Sequence, residues 1–284
     1  MRRRAQKLIK SSWSLELYVY TQRNLANRFQ AGSYALSSSS STKQIVATLT
    51  RGDVATRLVT ILPGRRIDQV RADFINDGFS PEAVDKALQP GQYSATTAFM
   101  FKPDAVQTLE GLLWPDSFQK DSTTDPSQII RQSLEETARH LSPEVQAGLS
   151  AQGLTPYQGL ILASMIEKEV SKPSDRAQAA QVFVSRLRDD ISLGSDATAL
   201  YGSIVAGQTA NLTYDSPYNT LQRKGLPPTP ISSVSDGSLR AVASPAATNW
   251  LFFVSGDDGI TYFSKTLAEH DALAEKYCHK LCGR

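Results

Sequence analysis

The sequence predicts an α+β fold, and three observations predict it. Short apolar runs alternate with short helical patterns through the first hundred residues. Three pairs of a capping side chain and a proline open helices between residues 125 and 170, and two apolar runs flank Gly256-Asp257-Asp258-Gly259 near the end. A chain of 284 residues can bury one main core and a smaller one beside it.

The first region reads as two small strand-helix units. Residues 34–36 are a strand end, and Ser37 to Ser41 form a polar loop. Ser41 and Gln44 have the spacing of a capping box ahead of Ile45, Val46 and Leu49. The pattern then repeats: residues 57–62 are strand-like, Pro63-Gly64 is a turn, and Ile67, Val70 and Phe74 recur at helical spacing until Gly78 stops the helix. Ser80-Pro81 opens a further short helix, with a cap residue before a proline at the first helical position.

From about Leu109 the helical signal dominates. Asp125-Pro126, Ser142-Pro143 and Thr155-Pro156 mark three helix starts. In the third helix, residues 157–170, Leu162, Met165 and Ile166 make an apolar stripe that ends in Glu167-Lys168-Glu169. Residues 177–187 are helical, residues 196–229 read as one long loop rich in turn residues, 251–254 and 260–263 form a strand pair, and 267–277 form a closing helix.

Composition removes several classes of function. Thirty basic residues against 28 acidic ones leave too little excess for nucleic acid or an anionic membrane as the main partner. No run of about 18 apolar residues is present, and the stretch after Met1-Arg2-Arg3-Arg4 is too polar for the apolar core of a signal. Cys278 and Cys282 are the two cysteines. They lie four apart near His279 and His270, but without a second ligand pair they predict no metal site, and the reading is an incidental pair at a frayed end.

Glu167 and Glu169 are two apart on a helix and so diverge by about 200°. Glu169 follows Ile166, Met165 and Leu162 at three, four and seven residues, on the apolar stripe. A carboxyl held against apolar neighbours stays protonated nearer neutrality, as a general acid for glycosidic cleavage requires. Glu169 is therefore the preferred acid and Glu167 the lesser candidate, although a Glu-Lys-Glu at a helix end also fits a solvated charge cluster. Asp196 and Asp215 are candidates for a second carboxylate, and each also fits a turn or cap residue. The segment from Asp215 to Thr220, with Gly225 to Ile231, combines hydroxyls, amides and a tyrosine in a proline-stiffened loop suited to sugar binding or to a surface linker.

The motifs Leu109-Glu110-Gly111, Trp114-Pro115-Asp116, Ile161 to Ser164 leading into Glu167-Lys168-Glu169, Arg186-Leu187, Ser195-Asp196, Ser216 to Thr220, Gly225 to Pro228, Tyr262-Phe263-Ser264 and His270 occur in this order. Their order resembles that of the endolytic murein transglycosylase family, also called YceG-like. The resemblance implies a LysM-like region over residues 1–104, apparently truncated at its start, and a YceG-like catalytic domain over 105–284. It implies that Glu169 is the catalytic acid and base, and that Glu110, Ser195, Asp196, Tyr218, Asn219, Thr220, Tyr262 and Ser264 bind substrate.

The implied reaction cleaves the bond from N-acetylmuramic acid to N-acetylglucosamine in peptidoglycan and leaves a 1,6-anhydro end, with no cofactor and no metal. The implied setting is the outer face of the cytoplasmic membrane, near peptidoglycan synthases, although the membrane-spanning helix usual in the family is not visible in this sequence. Ser185, Ala197 and Thr229 depart from the residues usual at those positions. Two competing readings are a catalytically silent peptidoglycan-binding module and a muramidase that uses Asp196 or Asp215 with water. A pyridoxal-phosphate lyase would need a phosphate-binding, glycine-rich helix start, and none is seen.

Overall fold

The structure is a computed structural model that describes residues 41–51, 57–93, 101–121, 123–280 and 282, together with 19, 28–30 and 34. Of the predicted strand end, Tyr34 has no regular secondary structure and residues 35 and 36 fall outside the described residues, as does most of the serine loop. Among the described residues helices dominate, with two small two-stranded sheets, so the α+β class holds. The chain divides into two compact units, one of residues 1–59 and 117–124, the other of residues 60–116 and 125–284.

In the smaller unit, α1 (Thr42–Arg51) starts at the expected capping box. Gln44 Oε1 accepts from Ser41 N at 2.8 Å, and Ser41 Oγ accepts from Gln44 N at 3.3 Å. The helix buries Ile45 and Val46. Strand β1 (Arg57–Thr60) pairs with β2 (Ser117–Lys120), and Val59 and Phe118 are buried.

The larger unit opens with α2 (Ile67–Asn76), which buries Val70 and Phe74, and α3 (Pro81–Ala87), capped by Ser80. Next come α4 (Pro126–His140), α5 (Pro143–Ala151) and α6 (Pro156–Glu169), which start at the three predicted caps. Asp125, Ser142 and Thr155 accept from Ser127 N at 2.8 Å, Val145 N at 3.4 Å and Gln158 N at 3.2 Å. Each such cap stabilises its helix by about 1 kcal/mol.

Helix α6 differs from expectation. Every residue from Gly159 to Ile166 is buried, so the helix has no single apolar stripe. It is enclosed by α5, α7 (Arg176–Arg188), α8 (Asp196–Val205) and α9 (Asp236–Ala243). A helix covered on all sides is apolar all round, as this one is up to its last turn.

The expected loop over residues 196–229 also needs correction, because its first ten residues are α8. Ser195 Oγ accepts from Thr198 N at 3.4 Å and starts this helix, and the turn-rich composition belongs to the chain after it. Helix α9, capped in the same way by Ser235, was not foreseen. Gly202 lets α8 lie against the next turn, since a Cβ there would come within 2.4 Å of Ser216 Oγ.

The larger unit closes with an antiparallel hairpin of β3 (Phe252–Ser255) and β4 (Thr261–Ser264), in which Phe252 faces Ser264 and Val254 faces Tyr262. Helix α10 (Leu267–Tyr277) packs on this hairpin, and Val254, Ala274 and Cys278 form the buried contact.

The cysteine pair is not frayed. Cys278 and Cys282 are joined by a disulfide, and Asp257 Oδ2 accepts from the backbone N of His279 and of Lys280, each at 2.9 Å. The helix ends at Tyr277, so the pair forms where the chain turns back rather than on a helix face. Among the described residues no helix is long and apolar enough to cross a membrane, and no cluster of His, Cys, Asp or Glu could hold a metal ion.

Candidate active site

The last turn of α6 carries two carboxylates into opposite surroundings. Glu167 reaches α7 and the start of α9. Its Oε1 accepts from Arg176 Nη2 at 3.2 Å, and its Oε2 accepts from Ser235 N at 3.1 Å, Ser235 Oγ at 2.5 Å and Ser238 Oγ at 2.6 Å. Its side chain is 7% exposed and that of Arg176 is 14% exposed. With four hydrogen bonds inside the protein, one of them also the ion pair with Arg176, Glu167 has little capacity left for a ligand.

Glu169 turns the other way, into a pocket of about 410 Å³. Lys168, Arg186, Asp196, Phe253, His270 and the Cys278–Cys282 disulfide are among the other groups that line it. Glu169 Oε1 accepts from Ser195 Oγ at 2.5 Å and from Ala197 N at 3.3 Å, at the amino end of α8. Oε2 accepts no hydrogen bond among the described residues. Burial pushes this carboxyl above the usual range, the Ser195 and Ala197 hydrogen bonds pull it partly back, and the nearby Asp196 charge adds to the rise. The result is a carboxyl that holds its proton more tightly than usual, with one oxygen fixed and the other open.

Asp196 is the first residue of α8. It lines the same pocket, keeps contact with solvent, and is raised by partial burial. Asp215, the other candidate second carboxylate, does not line it. It is 78% exposed and pairs with Arg223 at 2.6 Å.

The remaining predicted residues are brought near one another only in part. Thr220 Oγ1 accepts from Ser195 N at 3.1 Å and lies 2.7 Å from Thr198 Oγ1, which fixes the position of Ser195. Asn219 is fully buried; its Nδ2 donates to Leu212 O and Tyr214 O, each at 2.9 Å. The Tyr218 hydroxyl is 3.0 Å from Thr229 Oγ1, and its ring packs on Tyr201. Tyr262 donates to Asp258 Oδ2 at 2.7 Å and stacks on Tyr277, while Ser264 is buried on β4. None of these residues lines the Glu169 pocket.

Glu110 is also separate from it. It is 1% exposed, accepts from Ile67 N at 3.1 and 3.2 Å and from the Tyr201 hydroxyl at 3.0 Å, and burial pushes its carboxyl up to about 7. The Gly225 to Pro228 motif lines a larger cleft of about 700 Å³, with Tyr157, Gln158 and Arg188. Among the described residues no carboxylate lines this cleft, whereas Glu169 and Asp196 line the smaller pocket. Arg186, which the sequence marked only as part of a motif, is a pocket residue, and its position on a helix ahead of the Ser192-Leu193-Gly194 turn was the available signal.

Comparison with known proteins finds similar chains. The model of the YceG-like family matches residues 3–276. The chain is 29% identical to an endolytic murein transglycosylase of Bacillus subtilis over 95% of this chain and 78% of that protein. It is 27% identical to one of Streptococcus pneumoniae over 89% of this chain, where it spans about half (51%) of the relative's length. The crystal structure of a YceG-like protein from Listeria monocytogenes is similar, with a TM-score of 0.66, 29% identity and coverage of 94% of this chain and 92% of that one.

Proposed function

Because this chain belongs to the YceG-like family, we propose that it cleaves peptidoglycan glycan strands as an endolytic lytic transglycosylase, with Glu169 as both acid and base. The observation that carries the proposal is the pair of Glu169 oxygens, one anchored by Ser195 and Ala197 and the other open in a pocket that raises the carboxyl by burial. Protonated Oε2 gives its proton to the oxygen linking N-acetylmuramic acid to N-acetylglucosamine. The resulting carboxylate then takes the proton of the muramic C6 hydroxyl, whose oxygen closes onto C1. The chain breaks, a 1,6-anhydro end forms, and no water is consumed.

Ser195 and Thr220 hold Glu169 in place in this reading, and Asp196 contacts substrate from across the pocket. Glu110, Tyr218, Asn219, Tyr262 and Ser264, which do not line the pocket, bind the glycan away from the reacting bond in this reading. The LysM-like reading of residues 1–104 makes that region a glycan-binding module beside a catalytic domain over 105–284. Strand termination beside peptidoglycan synthases, at the outer face of the cytoplasmic membrane, completes the proposal; it rests on the family resemblance.

Asp196 favours one alternative, a muramidase in which that carboxylate activates water on the opposite face of the sugar. Mass spectrometry of fragments released from purified sacculi separates the two. Anhydro-ended fragments, one water lighter than hydrolysis products and absent with Glu169→Gln, are expected. Reducing-end fragments would transfer the reaction to the hydrolytic reading, and binding without release would make the protein a recognition module.

A further inference from the structure

Arg186 lines the Glu169 pocket but takes no part in the acid-base step. Its Nε donates to Leu251 O at 2.7 Å, and its Nη1 donates to Leu193 O at 2.9 Å and to Ser192 O at 3.3 Å. Phe252 covers one face of the guanidinium, its ring centre 4.8 Å from Cζ. All of these partners are neutral, and among the described residues Arg186 pairs with no carboxylate, whereas Arg176 on the same helix is paired with Glu167.

A guanidinium has five N–H donors, so these three bonds leave the two on Nη2 uncommitted. The turn beside it is fitted to the side chain: Gly194 has φ of +65°, and a Cβ there would lie 2.9 Å from Nη1. A half-buried cation oriented by carbonyls but not neutralised by them carries a desolvation cost that an anionic ligand would offset. Besides Glu169, whose ionisation burial disfavours, the charged groups lining the pocket are Lys168, Arg186 and Asp196, so two cations face the exposed Asp196 carboxylate.

We propose that Arg186 is a carboxylate-binding subsite of this pocket, in which Nη2 receives an acidic substituent of the glycan. This inference rests on the glycan reading above. The shared chemistry is a carboxylate, supplied either by the free lactyl arm of a muramic residue or by the terminal carboxyl of a peptide attached to that arm. Recognition of this group sets which strands enter, independently of the proton transfers at Glu169.

The test measures binding by titration calorimetry to the full chain. The probes are the N-acetylglucosaminyl-N-acetylmuramic acid disaccharide, which lacks the scissile linkage, its lactyl carboxamide, the same disaccharide bearing a short peptide, and that peptide's C-terminal amide. An acid form should bind at least about tenfold more tightly than its amide, the scale of a charge-assisted hydrogen bond. Preference for the free lactyl acid identifies the arm as the source, and preference for the peptide acid identifies the peptide. Arg186→Gln should abolish the preference while it binds the amides within about threefold of the wild type, which also reports that the pocket remains folded. Arg186→Lys should restore part of the preference.

Equal binding of acid and amide by the wild-type chain, or an undiminished preference in Arg186→Gln, overturns the inference. Failure to bind any of the four overturns it too. Release of anhydro fragments from sacculi in parallel would leave the transglycosylase proposal standing in either case.

Discussion

Glu167 and Glu169 sit two residues apart in the last turn of α6, yet the junction around one and the pocket around the other are built on opposite principles. At the junction with α7 and α9, every available partner of Glu167 is a donor, and the carboxylate is closed in by Arg176, Ser235 and Ser238. At the pocket, Glu169 has two donors on one oxygen and space beside the other. In the proposed reading, saturation makes Glu167 a fastening between helices, and incomplete saturation leaves Glu169 available as a reagent. Burial alone does not separate the two.

The largest expected effect comes from breaking the reactive side of this pair. Glu169→Gln removes the proton donor and acceptor but keeps the shape, so release of soluble glycan fragments should fall by at least about 10²- to 10⁴-fold, the usual contribution of a general acid or base. The melting temperature should hold or rise, because the substitution removes a carboxyl that burial disfavours in its charged form. Residual cleavage within tenfold of the wild type would remove Glu169 from the chemistry.

Next in size, Glu167→Ala should lower stability by about 3–5 kcal/mol, since it leaves Arg176 in a buried site without its partner. Activity per folded molecule should change little. Chemical denaturation alongside fragment release measures both, and a stable but inactive Glu167→Ala would invert the assignment of the two glutamates.

Glu110 sharpens the comparison as a third carboxylate that is deeply buried but does not line the pocket. Its folded value, up to about 7, lies above the ordinary 4.5, so the stability it contributes is fully present below about pH 4.5 and is lost as pH rises through 7. Glu110→Gln does not titrate. Relative to the wild type it should therefore gain up to about 3 kcal/mol between pH 4.5 and pH 8. Parallel denaturation curves at the two pH values would instead show that Glu110 is already neutralised by an unseen proton donor or is open to solvent.

Much of this was legible in the sequence because it is written locally. Ser41 with Gln44, Asp125, Ser142 and Thr155 before proline, and the glycine-bounded hairpin are capping and turn signals that act within a few residues, and each element begins within a residue or two of its signal. Helix α8 was hidden because the turn-rich composition of residues 196–229 masks Ser195 as a cap ahead of Ala199, Leu200 and Tyr201.

The preference for Glu169 came from an apolar stripe, and the structure supplies a different physical reason. Since α6 is buried all round, the two glutamates are distinguished by what stands opposite each. The partners that close off Glu167 come from 9 to 71 residues away, and the Ser195 hydroxyl that fixes Glu169 from 26, distances over which periodicity carries no information. The disulfide likewise depends on where α10 ends, not on the spacing of its cysteines.

The smallest expected effect tests whether Ser195 serves the pocket or only its helix. Ser195 Oγ donates to Glu169 Oε1 at 2.5 Å and also accepts from Thr198 N as the cap of α8, so Ser195→Ala removes both bonds. Loss of the cap should cost about 1 kcal/mol of stability, whatever the function. Loss of the donated bond acts on the chemistry: that bond lowers the Glu169 pKa, so without it the carboxyl rises further. The protonated acid is then retained to higher pH, and the alkaline limb of the kcat/KM profile should move upward, with a plateau that falls by less than about tenfold, the scale of one hydrogen bond. A helix cap with no part in the reaction would lower stability and leave the limb in place, so the pH profile, rather than the size of the rate loss, decides whether the amino end of α8 belongs to the reactive side of the molecule.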